Sequence, residues 1–161
     1  MKSKSILVMR FSSIGDIIQT TSILSTIKEY LPDYTIDYLT LDHFKSILKN
    51  HKSLNKIYSI PKDAKYSNII ELILKLKSNK YDHVVDLHNS PRSKVFCLFL
   101  KKSKIKKIKK PRLKRFLLFL LHFNSFKKNF NVRSMYNQAI QDLLPVDHKI
   151  ENTKLYISSS E

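Results

Sequence analysis

The densest reactive chemistry in the sequence sits in one short turn, Arg10-Phe11-Ser12-Ser13-Ile14-Gly15-Asp16. Asp16 offers a carboxylate that accepts a proton when ionised, the work of a general base. Ser12 and Ser13 offer hydroxyls, and the amides of Ile14, Gly15 and Asp16 would open a helix whose unpaired N–H groups and dipole favour an anion. The commoner use of such residues is plainer: Ser13 or Asp16 caps the helix that follows. Spacing alone favours capping and leaves both uses open.

Gly15 is the single glycine of the chain. That excludes the G-x-G-x-x-G dinucleotide fingerprint and the Walker A loop, so no cofactor is expected. Six histidines are present, and His83 and His88 flank Asp86, but a spacing of five along a strand and loop does not converge ligands, and no metal site is expected. His122, in an apolar run, reads as a packed side chain. Cys97 is the one cysteine, which rules out an internal disulfide and fits a reducing compartment with a buried, inert thiol.

The turn needs a frame to hold it. Ser5 to Arg10 is a compact apolar run, and Ile17, Thr21, Leu24 and Ile27 recur at helical spacing up to Tyr30, where Leu31-Pro32 ends the helix. Tyr34 to Leu39 and Lys56 to Ile60 read as strands, with a short helix over Leu41 to Leu48 between them. A helix over Ser67 to Leu76, capped by Ser67 or Asn68, leads to a strand over Asp82 to Leu87 and a helix over Ser93 to Leu100. Ile105 and Ile108 suit a short fifth strand, Asn131 to Leu144 one more helix, and Lys154 to Ile157 a strand edge. Strands alternating with helices predict an α/β fold, a Rossmann-like, doubly wound, mostly parallel sheet in a single domain over residues 1–161.

At 161 residues the chain has the size of one domain able to bury its own core. Thirty Lys and Arg against thirteen Asp and Glu give a net charge of +17, a field that attracts polyanions of any kind. Lys101 to Arg115 holds ten of the cations and no acid, and Phe116 to Phe123 follows as an apolar run too short to span a bilayer. Together they match an interfacial anchor on an anionic membrane and, equally, a solvated loop before a core helix. A basic polyanion-binding domain without catalysis is the rival functional class; no nucleic-acid module is recognisable, and no specific nucleic-acid partner is expected.

Two stretches carry a family resemblance. Arg10, Ser12, Ser13, Gly15 and Asp16, with Thr20-Thr21 after them, are similar to the Arg-x-Ser-Ser-x-Gly-Asp opening of the lipopolysaccharide heptosyltransferases, glycosyltransferase family nine. Ser22 and Leu31 replace the proline and tyrosine usual there. Tyr81-Asp82 through Asp86-Leu87 to Arg92-Ser93 resembles a second family stretch. The resemblance implies the N-terminal, acceptor-side half of a two-domain GT-B enzyme that transfers heptose from ADP-heptose, with inversion, to a lipid A–core acceptor. It implies Asp16 as catalytic base, with Ser12, Ser13, Gly15, Arg92 and Ser93 on the acceptor side and Lys94 close to Arg92. It further implies that the C-terminal donor-binding domain is absent from residues 1–161, so that ADP-heptose is a partner only if a donor domain is supplied and little activity is expected from the chain alone. The setting it implies is cytoplasmic, peripheral at the inner face of the cytoplasmic membrane.

Overall fold

The structure is a computed structural model that describes residues 4–109, 119–122 and 131–156. The strands are β1 (Ser5–Met9), β2 (Thr35–Leu41), β3 (Lys56–Ile60), β4 (His83–Asp86) and β5 (Lys104–Lys107). The helices are α1 (Ile14–Tyr30), α2 (Lys45–Leu48), α3 (Tyr66–Ser78), α4 (Pro91–Phe99) and α5 (Val132–Asn137), with 3₁₀ turns at Asp42–Phe44 and Gln141–Leu143. The five strands form one sheet in the order β3-β2-β1-β4-β5, and every pairing is parallel. The Rossmann-like sheet expected from the alternation is therefore present, and wholly parallel.

Both faces of the sheet are covered, which is why the central strands read as continuous apolar runs rather than as an alternation. Ile6, Val8, Ile36, Tyr38 and Val85 point into the core under α1 and α5. Leu7, Met9, Leu39, Leu41 and Val84 point into the core that also holds Ile73 and Leu76 of α3 and Phe96 and Cys97 of α4. Ile6 to Met9 are fully buried. Burying a side chain of that size contributes about 1.5–3 kcal/mol, so these four residues make β1 one of the main apolar supports of the sheet.

Helix α1 departs from the usual design of one apolar stripe. Thr20, Thr21, Ser22, Ser25 and Thr26 are all buried. Four of these hydroxyls donate to carbonyls of their own helix: Thr20 to Ile17 at 2.7 Å, Thr21 to Ile18 at 2.7 Å, Ser22 to Gln19 at 2.9 Å and Thr26 to Ser22 at 2.8 Å. That use of the hydroxyl proton leaves lone pairs facing outward. Asn137 of α5 donates to Ser22 at 3.2 Å, and residues 149–154 lie along the same face. Their amides donate to side-chain oxygens of α1: Lys149 to Tyr30 at 2.8 Å, Glu151 to Thr26 at 3.1 Å and Lys154 to Thr21 at 3.0 Å.

Several elements differ from expectation. The last helix is short: α5 ends at Asn137, whose side chain bonds back to the Arg133 carbonyl at 3.0 Å, and the chain turns through Gln141–Leu143 instead of continuing to Leu144. Residues 154–156 form no strand, and the Lys154 amide donates to the Thr21 hydroxyl of α1 rather than to a sheet edge; Ile157 lies outside the described residues. His122 is exposed, with φ at 52°, rather than packed in a helix. Phe119, Leu120 and Leu121 are also exposed, and the rest of the apolar run lies outside the described residues.

Candidate functional site

The strand order reverses between β1 and β4, since the chain runs outward from β1 through β2 to β3 and returns to place β4 on the other side. Ligands of such sheets bind beyond the carboxyl ends of the strands at that reversal. Met9, the last residue of β1, pairs with Asp86, the last of β4. The turns after these two residues therefore stand side by side.

Arg10 joins them. Its side chain is 6% exposed, and its guanidinium donates through Nε to the Ser12 carbonyl at 2.5 Å, through Nη1 to the Leu87 carbonyl at 2.6 Å, and through Nη2 to Asp16. Its other contact is with the ring of Tyr136, whose centroid lies 5.5 Å from the guanidinium carbon. A planar fork with five fixed donors can serve three acceptors in this way, which a lysine cannot.

Asp16 accepts bonds on both oxygens. Oδ2 takes Arg10, the Ser13 hydroxyl at 3.1 Å and, more weakly, the Ser13 amide at 3.4 Å. Oδ1 takes the Tyr136 hydroxyl at 2.7 Å, from a residue 120 positions away. Burial acts to raise the pKa of this carboxyl, but the Tyr136 hydrogen bond, the Arg10 charge and Ser13 outweigh it and hold Asp16 below the usual carboxylate range. Asp16 is thus ionised at neutral pH. Its side chain is still 32% exposed, and it lines an open cavity of about 750 Å3 with Ser13, Gly15, Gln19, Asn131, Val132 and Arg133.

Capping is present in this turn, and it leaves the carboxylate open to the cavity. Ser13 is the N-cap of α1, Asp16 answers it from the third helical position, and the same carboxylate faces the cavity. Gly15 is exposed with open space where a side chain would begin, so the approach to Asp16 is unobstructed there. Ser12 contributes its carbonyl to Arg10.

The second stretch is built around Asp86, which is fully buried. It accepts the amides of His88 at 2.9 Å and Asn89 at 2.7 Å and the hydroxyl of Ser93 at 2.8 Å, and so shapes the turn into α4. Ser93 is buried in that cap. Arg92 donates to the Lys62 carbonyl at 2.6 Å. The structure therefore brings Ser13, Gly15 and Asp16 together at one cavity, while Arg92 and Ser93 belong to α4 and do not line it. Cys97 is buried behind Asp86, and burial followed by the Asp86 charge pushes its thiol up to about 12. Among the described residues no group of three His, Cys, Asp or Glu side chains is placed to hold a metal ion.

Sequence reasoning singled out neither Tyr136 nor the cavity residues Asn131 and Arg133. Nothing in the local pattern marks them, since they meet the turn only through the packing of α5 on α1.

The five-stranded, all-parallel sheet with helices on both faces matches the Rossmann-like half of the GT-B glycosyltransferases of family 9. The chain superimposes with a TM-score of 0.77 on the crystal structure of a glycosyl transferase family 9 protein from Veillonella parvula, at 17% identity, covering 99% of this chain and 47% of that one. Within this class the chain is heptosyltransferase-like in sequence. It is 30% identical over 136 residues to lipopolysaccharide heptosyltransferase 1 of Campylobacter coli, covering 84% of this chain and 35% of that protein. It is 35% identical over 78 residues to lipopolysaccharide heptosyltransferase 3 of Escherichia coli K12, covering 45% of this chain and 23% of that protein. The chain thus spans about a third or less of the curated relatives it matches. No protein-family model matches it. Among the described residues no helix is long and apolar enough to cross a membrane.

Proposed function

We propose that the chain is the acceptor-side half of an inverting heptosyltransferase of lipopolysaccharide core synthesis, with Asp16 as its general base. The observation that carries this reading is an ionised, part-exposed carboxylate lining an open cavity at the sheet's reversal point. In the reaction an acceptor hydroxyl oxygen bonds to the anomeric carbon of the donor sugar while the bond from that carbon to the diphosphate breaks. The hydroxyl proton passes to Asp16, and ADP carries away the electron pair. A carboxylate has roughly four lone-pair directions, and Arg10, Ser13 and Tyr136 hold it in place without closing its exposed side. Because those donors also lower its basicity, Asp16 takes the proton as the hydroxyl becomes acidic in the transition state, not before.

The acceptor in this reading is a lipid A–core saccharide, which makes peripheral association with the cytoplasmic membrane face part of the proposal. ADP-heptose binds a donor-side half that lies outside residues 1–161, so the chain alone turns over little or no donor. ADP release measured with ADP-heptose and a lipid A–core acceptor tests this, and robust turnover by the isolated chain overturns the half-enzyme reading. With a donor half supplied, Asp16→Asn lowers turnover by about 10²–10⁴-fold, the range for loss of a general base. Unchanged turnover removes Asp16 from that role.

A further inference from the structure

A smaller cavity opens on the same carboxyl edge of the sheet as Asp16, at the end of β5. Its volume is about 250 Å3, and Lys107, Lys109, Gln138, Ala139 and Gln141 line it. Lys107 ends β5 level with Asp86, which in turn pairs with Met9. Two strand spacings of about 4.8 Å therefore separate it from the strand that leads into the Asp16 turn. Helix α5 divides the two cavities: Val132 and Arg133 line the first, and Gln138, just past the end of the helix, lines the second.

The lining carries two cations and no acid. The Ile108 amide still bonds the Asp86 carbonyl at 3.0 Å, so the chain runs on past β5 and sends Lys107 and Lys109 to the same side. Both lysines are exposed, and neither makes an ion pair with a described residue. The nearby acids are engaged elsewhere. Asp142 holds Lys106, and Asp86 is fully buried under the amides of His88 and Asn89 and the hydroxyl of Ser93. Gln138 and Gln141 supply side-chain amides that have no hydrogen-bond partner among the described residues. The Lys106–Asp142 pair ties their turn to β5, so both walls are in place before a ligand arrives.

We propose that this cavity binds a phosphate monoester or inorganic phosphate through Lys107, Lys109, Gln138 and Gln141. Such a group carries about −1.5 to −2 charges at pH 7 and three strong acceptor oxygens, which two ammonium groups and two amide donors complement. A carboxylate, with a single charge, leaves one lysine unmatched. A bilayer needs apolar side chains that insert, and Ala139, the one apolar residue of the lining, is buried. A single-stranded nucleic acid needs rings for its bases to stack on, and the lining has none among the described residues. A phosphorylated saccharide lying along this edge can set its phosphate here and one of its hydroxyls towards Asp16. That consequence alone rests on the proposed sugar transfer; the phosphate site holds or fails without it.

Amide NMR of the isotope-labelled chain tests this by titration with inorganic phosphate, glucose-6-phosphate and glucose, at about 0.15 M salt so that distant charges are screened. Both phosphates should give saturable shifts centred on the backbone amides of Lys107 and Lys109 and on the side-chain amides of Gln138 and Gln141; glucose should give none. Tighter binding of glucose-6-phosphate than of inorganic phosphate identifies a sugar phosphate as the ligand, and equal binding identifies the free ion. Lys107→Gln with Lys109→Gln should weaken binding about 10–25-fold, at up to about fivefold for each exposed charged contact. Lys101→Gln with Lys102→Gln removes the same charge at the α4–β5 connection, away from the cavity, and should change affinity by less than about twofold. Circular dichroism checks that both double variants are folded. Three results each overturn the proposal: shifts spread over surface lysines without saturation, unmoved Gln138 and Gln141 side-chain amides, or equal weakening by the two double variants. Turnover enters none of these readouts, so failure here leaves the role of Asp16 standing, and loss of that role leaves the phosphate site standing.

Discussion

Replacing Tyr136 by Phe removes one oxygen and leaves a buried ring in place. The ring keeps its core packing and its position beside the Arg10 guanidinium, so what is lost is the 2.7 Å bond to Asp16. A hydrogen bond to a charged group contributes about 1.5–3 kcal/mol. Asp16 is 32% exposed, so water replaces part of the bond, and the expected loss is about 1–1.5 kcal/mol at neutral pH. In a domain of this size that lowers Tm by roughly 2–6 °C. The effect has a fixed sign in pH. The carboxyl's folded pKa is depressed, so the stability it contributes is present above the unfolded value of about 3.9 and is lost as pH falls through the folded one. Urea unfolding of the two proteins at pH 7 and again at the lowest pH where both remain folded should show the gap closing. A double-mutant cycle with Asp16→Asn should return most of the same energy as coupling. A gap that is constant with pH, or a coupling near zero, would refute the claim that Tyr136 acts through Asp16.

Arg10→Lys should cost about 1–3 kcal/mol in chemical denaturation, because a single ammonium cannot reproduce the fork that serves Ser12, Leu87 and Asp16 at once and a carbonyl loses its donor; no measurable cost would show that the fork is dispensable. Ser93→Ala should cost about 1–3 kcal/mol on the same measurement by withdrawing a donor from buried Asp86. Cys97 should stay unlabelled by a thiol reagent at pH 8 until urea unfolds the chain, since its thiol is buried and pushed up to about 12. His51 is pushed down to about 4 by burial and by Lys154, so the unfolded chain binds the extra proton and stability should fall as pH drops from about 6.5 towards 4; His51→Leu should flatten that part of the pH profile.

The fold was legible because each sheet element announces itself locally. Lys56–Ile60 lies between polar residues and a proline and forms β3 over those same bounds, and the apolar runs of β1 and β4 need both faces covered. The apolar periodicity of α1 begins only at Ile17, yet the helix opens at Ile14 behind the Ser13 cap, as the turn residues themselves suggest, because Ile14, Gly15 and Asp16 serve at once as turn and as first helical residues. At the site, the turn itself was legible and its partners were not. Tyr136 reaches Asp16 across 120 residues, a pairing set by how α5 packs on α1. Arg10 stood in the quoted motif, yet its part as the joint between two strand ends depends on β4 lying beside β1, which no local pattern states. The hydroxyls of α1 weaken its helical apolar pattern because their partner is an extended segment more than a hundred residues further on.

That last arrangement fixes distances. From Thr21 to Tyr30 the helix rises roughly 13 Å at about 1.5 Å per residue, and the five steps from Lys154 back to Lys149 reach at most about 17 Å when stretched. The tail is measured against a ruler of hydroxyl marks, with only a few ångströms of slack between them. One extra residue inserted between positions 149 and 154 would have to bulge outward or slide a mark, and either change would show first as faster amide exchange at Glu151 and Lys154 while the sheet stays protected.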